Sequence, residues 1–455
     1  MPNADIVILG GGSGGYACAL RASHLGLSVI LIDADKVGGT CLHRGCIPTK
    51  ALLHAAELAD NAREGAHFGV NTTLDGIDMK KVNEYRDGVV GRLYKGLQGL
   101  LKNPKVTFVE GRGRMVSPDT IEVNGERYTG KHVVLATGSY SRTLPGLEIG
   151  GRIMTSDQAL TLDWIPNKVI VLGGGVIGVE FASVWKSFGA DVTIIEALPN
   201  LVPNEDIAIS KALERAFRKR GINFNLGTRF AGATQDDAGV HVTLEDGKTF
   251  DADLMLVAVG RGPNATGMGY EEQGVAMERG WVLVDERLRT NVPNVFAVGD
   301  ITPGLQLAHR GFQHGIFVAE EIAGLEPMPI ADVNIPRVTY CEPEVASVGL
   351  TEAAAREQYG DEVSVYEYNL GGNGKSQILG TAGFVKLVQR QDGPVVGIHL
   401  VGSRMGEQIG EAQLIVNWEA TAADVADLIH AHPTQNEAMG EAHLALAGKP
   451  LHAHA

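Results

Sequence analysis

Two of the four cysteines in this 455-residue chain stand close together in GGTCLHRGCIPTK, Gly38 to Lys50, with four residues between Cys41 and Cys46. Thiols so placed admit four roles: metal ligands, a structural staple, two inert buried thiols, or a redox pair. A zinc site takes four ligands, commonly in C-x2-C pairs, and no second cysteine pair exists here. A staple across so short a loop removes few unfolded conformations and adds little stability. Five positions along an ideal helix rise roughly 7.5 Å. A disulfide wants its Cα atoms about 4.4–6.8 Å apart, so the pair cannot share one regular helix. Pro48 suits the first turn of a helix running on through KALLHAAELAD. The expectation is Cys46 at that helix's N-terminus and Cys41 on an irregular segment before it. The helix dipole then favours a thiolate at Cys46 and makes the two sulfurs inequivalent.

The elements that would position this pair form an internal duplication. DIVILGGGSGGYACALRASHLGLSVILID is answered by KVIVLGGGVIGVEFASVWKSFGADVTIIE. Each copy reads as an apolar strand, G-x-G-x-x-G, a helix, and a second apolar strand ending in an acid. Gly10 to Asp33 and Gly173 to Glu196 both span 23 positions. A lone G-x-G-x-x-G says little, but this full order, repeated at matched spacing, is a dinucleotide-binding fingerprint. Gly10 makes the tight turn, Gly12 admits a pyrophosphate, and Gly15 lets helix and strand pack. Gly173, Gly175 and Gly178 repeat those roles. Free N–H groups at the helix start suit phosphates, and the acid accepts bonds from ribose hydroxyls. The alternative is two strand–helix turns without a ligand.

Both copies continue through short strands with a turn dipeptide, Asn124-Gly125 and Asp246-Gly247. Each closes on an apolar strand, at Gly138 and at Gly260. Fingerprint to closing strand takes 128 residues in the first copy and 87 in the second. The excess holds the cysteine stretch and helical segments at 51–62 and 82–101. NVFAVGD then reads as a strand ending in Gly-Asp, followed by a helix over 311–323. Beyond 334 the pattern becomes α+β: strands at 338–340, 363–369, 383–389 and 395–401, helices at 405–418 and 438–447. The fold class expected is α/β, two Rossmann-like dinucleotide-binding domains, one inserted in the other, plus a C-terminal α+β domain. The expected divisions are 1–147, 148–266, 267–333 and 334–455.

The composition, 44% hydrophobic and 20% charged, is that of a soluble globular protein. The net charge of −15 disfavours nucleic acid and anionic membranes as partners. No secretory signal and no spanning segment are visible, which points to the cytoplasm. There a disulfide is more often catalytic than structural.

These residues together resemble the flavin-dependent pyridine nucleotide–disulfide oxidoreductases, and within them the lipoamide-linked branch. The likeness rests on both nucleotide halves, G-G-T-C-x4-C-I-P-T-K, the Gly-Asp strand and a C-terminal H-P-T-x-x-E. It implies FAD and NAD as cofactors, a Cys41–Cys46 redox disulfide, and oxidation of dihydrolipoamide to lipoamide. It also implies a C-terminal dimerisation domain, a homodimer, and a lipoyl-bearing partner from a 2-oxo acid dehydrogenase or glycine cleavage system. Gly10, Gly12, Gly15 and Asp33 would hold the adenosine half of FAD, Asp300 its ribityl chain, and the Ala308–His309 backbone its ring. Lys50 would sit beside the flavin, paired with Glu180. Thr40, Gly138 and Gly260 join the cofactor-contacting set. Gly173, Gly175, Gly178 and Glu196 would bind the nicotinamide nucleotide. A carboxylate at 196 repels a 2′-phosphate, and ALPNLVPNED offers no cation for one, so NAD(H) is expected over NADP(H). Glutathione-reductase-like relatives carry arginines there, a tyrosine at Val176, and P-K-K at Pro48-Thr49-Lys50.

His432 would be the acid–base, with Glu437 orienting it, the dyad reaching into the partner subunit. Thr434 to Glu437 reads equally well as a T-x-x-E capping box. His430 and His54 read as surface or packing residues. The chain departs from the family pattern at His43-Arg44, Asp33, Gly311 and His314. His43 and Arg44 would put basic groups beside Cys41, tuning its thiolate or partner docking. Other readings are a reductase of another small disulfide, an NADH–quinone flavoenzyme, or a non-catalytic scaffold subunit. Mercuric and thioredoxin reductases are disfavoured because KPLHAHA ends the chain without cysteine.

Overall fold

The structure is a computed structural model and describes residues 2–453. β1 (Asn3–Leu9), α1 (Ser13–His24) and β2 (Val29–Asp33) open the chain. Ile6 to Leu9 are buried on both faces, as a parallel strand covered by helices must be. An insertion follows: α2 (Gly39–Arg44), α3 (Cys46–Glu64) and α4 (Met79–Leu101). β3 (Val106–Glu110), β4 (Gly113–Ser117), β5 (Thr120–Val123) and β6 (Glu126–Leu135) complete most of the first sheet. The β5–β6 turn has φ of 52° at Asn124 and 83° at Gly125, the two positive values a type I′ hairpin requires. The parallel core runs β3-β2-β1-β6.

β7 (Ser139–Ser141) then leads to a second unit. β8 (Ile153–Thr155), α5 (Ser156–Ala159), β9 (Lys168–Leu172), α6 (Val176–Phe188) and β10 (Asp191–Glu196) come first. α7 (Ile207–Lys219) and β11 (Asn223–Leu226) follow. A small antiparallel sheet holds β12 (Phe230–Gln235), β13 (Val240–Leu244) and β14 (Thr249–Ala252). β15 (Leu254–Val257) closes the parallel sheet in the order β11-β10-β9-β15-β8. Each half therefore builds the same run: two strands of the fingerprint, the strand after them, and the closing strand.

β16 (Arg261–Pro263) pairs with β7, and β17 (Met277–Glu278) with β18 (Trp281–Val282). β19 (Val295–Ala297) returns to the first sheet, parallel to β6, so the second unit is inserted in the first. α8 (Ala308–Ile322) lies along α1. Contact is close because the helices meet at glycines: a Cβ on Gly315 would stand 2.2 Å from the Gly14 carbonyl oxygen.

The C-terminal unit is an antiparallel sheet flanked by helices. Its strands are β20 (Arg337–Thr339), β21 (Glu344–Gly349), β22 (Val363–Asn369), β23 (Phe384–Arg390) and β24 (Val395–Gly402), ordered β20-β21-β24-β23-β22. The helices are α9 (Glu352–Tyr359), α10 (Gly374–Leu379), α11 (Met405–Asn417), α12 (Ala422–Ala426) and α13 (Glu437–Leu446). β21, central and buried, was not foreseen; its EVASVG lacks both alternation and a run of large β-branched residues.

One apolar cluster ties these units together. It joins Leu52 and Ala56 of α3, Phe181 and Trp185 of α6, Phe217 of α7, and Val345 and Val401 of the C-terminal sheet. The same junction holds a buried cation, Lys386, which bonds Asp206 at 2.9 Å and Glu352 at 2.7 Å. Among the described residues no helix is long and apolar enough to cross a membrane.

Candidate active site

The two fingerprints reproduce each other atom for atom where it matters. Gly10 and Gly173 have φ of 109° and 111°, and a Cβ on either would stand 2.2 or 2.3 Å from a carbonyl oxygen of the closing segment, Ala136 or Ala258. A Cβ on Gly15 or Gly178 would stand 1.8 or 1.9 Å from the carbonyl oxygen of the first glycine. The second glycines differ in kind. A Cβ on Gly12 would meet only the Gly39 Cα, at 3.9 Å, and one on Gly175 would meet nothing within 4 Å. Both cap their helices in extended conformation with no side-chain cap, so the first-turn N–H groups stay free for an anion.

The acids are held alike. Asp33 accepts from Gly11 N at 2.5 Å and Asp35 N at 2.9 Å; Glu196 accepts from Gly174 N at 2.6 Å and Leu198 N at 2.8 Å. One bond per oxygen leaves lone pairs for ribose hydroxyls. The open glycines, bare helix starts and half-exposed acids fit two dinucleotides, one per half.

The cysteines sit where the first half departs from the second. Cys41 lies in the six-residue helix α2, not on an irregular segment. The reason is Gly38 and Gly39, whose φ of 108° and 59° turn the chain directly into a helix. Gly39 packs on Gly12, and its Cβ would come within 2.7 Å of the Gly12 Cα. Gly45, at φ −147° and ψ −111°, breaks the helix, and Cys46 starts α3 as expected. Pro48 lies in the first turn of α3, where an N–H has no intrahelical partner.

The break sets the two thiols against each other. Cys46, and then burial, push Cys41 above an ordinary thiol. Cys41 pulls Cys46 down; burial opposes the shift, and Lys50 reinforces it. Lys50 stands one turn along α3 and bonds both Glu180 oxygens, at 2.9 and 2.8 Å. Burial disfavours its ammonium, but Glu180 outweighs this and holds Lys50 above its ordinary value. Glu180 is the only acid on α6, and its side chain is 3% exposed. Its Oε1 also accepts from Tyr340 N at 2.9 Å, and Lys50 lies over the Tyr340 ring, 4.7 Å from the centroid.

Asp300 follows β19 and accepts from Ser139 Oγ at 2.6 Å, which in turn accepts from Arg261 Nε at 2.8 Å. Gly138 and Gly260 are the positive-φ turns just before these two residues. Ala308 starts α8, whose N-terminus has no side-chain cap. His309 turns its imidazole to the Pro336 carbonyl, 2.7 Å away, leaving only its backbone at the helix start. Thr40 stands in α2 beside Cys41.

His432 Nδ1 bonds Glu437 Oε1 at 2.8 Å, and the His432 side chain is 74% exposed. Thr434 N donates to Glu437 Oε2 and Glu437 N to Thr434 Oγ1, but Glu437 is the first residue of α13 and Asn436 its N-cap, so these bonds close the turn before the helix rather than form a capping box. One carboxylate does both, each oxygen taking one task. The imidazole is open to solvent.

His43 and Arg44 do not act on Cys41. His43 bonds the Val37 carbonyl and stacks edge-on with Tyr94, while Arg44 pairs with exposed Asp35. α2 points these side chains away from the thiols; the charges that act on the pair are Lys50, Asp300 and Glu180. His430 is a packing residue, bonded to Glu411 at 2.8 Å, and His54 is exposed beside Glu57. Residues missed from sequence are Tyr16, Ser139, Arg261 and Tyr340. Tyr16 is pushed up to about 12 by burial and then by the two thiols, so it faces them. A signal for it existed: the equivalent position in the second copy is Val179. Among the described residues no cluster suited to a metal is present.

The pyridine nucleotide-disulphide oxidoreductase family profile matches residues 4–315, and that family's dimerisation domain matches residues 335–443. A dihydrolipoyl dehydrogenase of Bacillus subtilis is 40% identical, covering 98% of this chain and 99% of its own length. A mitochondrial dihydrolipoyl dehydrogenase of Pisum sativum is 38% identical, covering 98% and 92%. Among solved structures, LpdA from Mycobacterium tuberculosis superposes with a TM-score of 0.90 at 27% identity, covering 98% of this chain and 100% of its own.

Proposed function

That this chain belongs to the pyridine nucleotide-disulphide oxidoreductase family is the premise from which we propose its reaction. It is a dihydrolipoamide dehydrogenase that uses FAD and NAD and works as a homodimer. The observation that carries this reading is the site's geometry: Cys41 lies in α2, Cys46 opens α3, and Lys50, held by both Glu180 oxygens, stands one turn beyond Cys46. Thiol–disulfide exchange needs one sulfur to attack and one good leaving sulfur.

In the oxidised protein, a thiolate of dihydrolipoamide attacks Cys41 Sγ. The Cys41–Cys46 bond breaks and Cys46 leaves as the thiolate, favoured by Lys50 and the start of α3. His432 of the partner subunit takes the substrate's proton, held in its tautomer by Glu437. The second substrate sulfur then attacks the first, releasing lipoamide and leaving Cys41 as a thiol. A bound flavin would supply the acceptor for the dithiol's electron pair, and NAD⁺ would be the final hydride acceptor. Gly10, Gly12, Gly15, Asp33, Thr40, Gly138, Asp300, Ala308 and His309 would hold the flavin cofactor. Gly173, Gly175, Gly178, Glu196 and Gly260 would hold NAD. The physiological substrate would be a lipoyl group on a 2-oxo acid dehydrogenase core or a glycine cleavage carrier.

The test is NADH oxidation by the purified protein, with lipoamide and other small disulfides side by side, in the parent and in Cys46→Ser. Lipoamide should be the preferred disulfide. The variant should lose that turnover while keeping NADH–quinone transfer. Lipoamide turnover surviving in Cys46→Ser would overturn the relay, and a preference for NADPH would overturn the role of Glu196.

A further inference from the structure

Two of the positions where this chain departs from its family's pattern, Gly311 and His314, lie three apart on one face of α8 and meet the same peptide turn. That turn is Val298-Gly299-Asp300, after β19. Gly311 lets α8 come close: a Cβ there would stand 2.5 Å from Ser13 Oγ and 3.4 Å from Gly14 N, and its Cα lies 3.8 Å from a Cβ built on Gly299. At that approach the His314 imidazole, 2% exposed, reaches under the turn, and its Nδ1 accepts from Gly299 N at 3.3 Å. One turn earlier on the same face, Arg310, 5% exposed, donates to the Gly299 carbonyl at 3.5 Å, to Thr302 Oγ1 at 3.2 Å and to the Pro303 carbonyl at 2.6 Å. Its Nε is held by Asp332 at 2.8 Å. The N–H and C=O of Gly299 are thus gripped by two side chains of one helix. Gly299 has φ of 70°, which glycine adopts freely, so these side-chain bonds are what fix the turn.

The imidazole must accept at Nδ1, which makes it the neutral Nε2–H tautomer. Burial first, and then the adjacent Arg310 charge, hold it neutral, lowering it to about 3. Its other side borders a cavity of about 160 Å³ walled by Val284, Leu288, Phe317 and Ile330, with Asp332 at one end.

We propose that His314 is a positioning residue for the flavin cofactor: its Nδ1 holds the Gly299 amide and so aims Asp300 at the ribityl chain. The inference rests on the reading that Asp300 meets that chain. Asp300 itself is aimed from the other side by Ser139 and Arg261. Losing the Gly299 bond therefore loosens one of two supports, and cofactor retention weakens without disappearing.

The experiment compares the parent with His314→Asn and His314→Leu. Asparagine presents an uncharged acceptor at the Nδ1 position; leucine fills the space without one. FAD content per chain is measured first, then the rate of FAD release on dilution, followed by the rise in flavin fluorescence. The visible circular dichroism of the bound flavin is recorded alongside. His314→Leu should release FAD at least tenfold faster and alter the flavin dichroism; His314→Asn should stay within about threefold of the parent. Equal release by His314→Leu and the parent would overturn the inference, as would equal damage in both variants, which marks volume rather than the acceptor. Should His314→Leu fail to fold, His314→Asn decides alone: tenfold faster release in a folded protein overturns it, and parent-like release supports it. A parent that binds no FAD would overturn the cofactor reading instead.

Discussion

Lys50 and Glu180 make a dipole aimed at Cys46, and neutralising either end should move the thiol in opposite directions. Lys50 stands four residues after Cys46 on α3, a spacing that puts Cβ atoms about 5–6 Å apart, and about 6 Å serves as the charge-to-sulfur separation. With an effective dielectric near 20, a unit charge at that distance contributes about 2.8 kcal/mol, about two pKa units. Glu180 lies behind Lys50, its oxygens 2.8 Å further from Nζ, and opposes with about 2 kcal/mol at roughly 8.5 Å. Solvent reaches the Lys50 side chain, which is 31% exposed, so screening trims both figures. Lys50→Met should therefore raise Cys46 by about 1–2 units, leaving Glu180 unopposed. Glu180→Gln should lower it by about one unit, leaving the ammonium unopposed. The double variant should return to within about one unit of the parent. The assay is the pH dependence of iodoacetamide alkylation at Cys46, followed by peptide mass spectrometry in a Cys41→Ser background. Cys18 and Cys341 are buried and their thiols are pushed up, so they stay silent. Two single variants moving the midpoint the same way would refute the reasoning, as would shifts below about half a unit.

The two glycine roles should separate cleanly. Gly15→Ala puts a Cβ 1.8 Å from a backbone oxygen, an overpacking worth about 1–3 kcal/mol, and should lower the melting temperature of the FAD-free protein. Gly12→Ala meets only one atom, at 3.9 Å, so it should melt like the parent without FAD yet bind FAD at least tenfold more weakly; parent-like affinity would remove the pyrophosphate from Gly12. At the junction, Lys386→Met leaves Asp206 and Glu352 without their buried cation, a loss of about 3–5 kcal/mol at neutral pH by urea unfolding. Burial opposes ionisation of Asp206, but Lys386 and backbone donors hold it low, and the Lys386 bond holds Glu352 low. Depressed carboxylates contribute fully above their unfolded pKa of about 4 and lose that contribution as pH falls through the folded value. The gap between parent and variant should narrow below pH 4; a gap constant with pH would remove the ion pair from the explanation.

The duplicated halves were legible because both rest on constraints local in sequence. A positive φ at the first glycine and a strand–helix clearance at the third leave only glycine tolerable, so residue type and spacing alone reveal them. The same locality put Cys46 at a helix start, from Pro48. It failed one turn earlier. Gly38 and Gly39 read as loop residues, yet their positive φ values are what wind Cys41 into α2, and the sequence distinguishes a glycine that ends a helix from one that begins it only through what packs there. Gly12 is the neighbour that settles it, and Gly12 is 27 positions away.

Three of the residues the sequence did not mark, Ser139, Arg261 and Tyr340, serve the site through a bond to a distant element. Tyr340 reaches Glu180 across 160 positions, and Arg261 reaches Ser139 across 122. No period or spacing records such a contact. His43 and Arg44 show the converse error, in which adjacency in sequence to a cysteine was taken for adjacency in space. Their own partners hold them elsewhere: His43 bonds the Val37 carbonyl and sits edge-on to Tyr94, and Arg44, three positions from Cys41, is drawn to Asp35. His432 carries the argument one step further. Its imidazole, braced by Glu437, is open to solvent. An acceptor so placed suits a second subunit, and the dimerisation domain that carries it, 335–443, lies outside both nucleotide halves. On the reading proposed above, one site would draw Cys41, Cys46, Lys50 and Glu180 from one copy and His432 and Glu437 from the other.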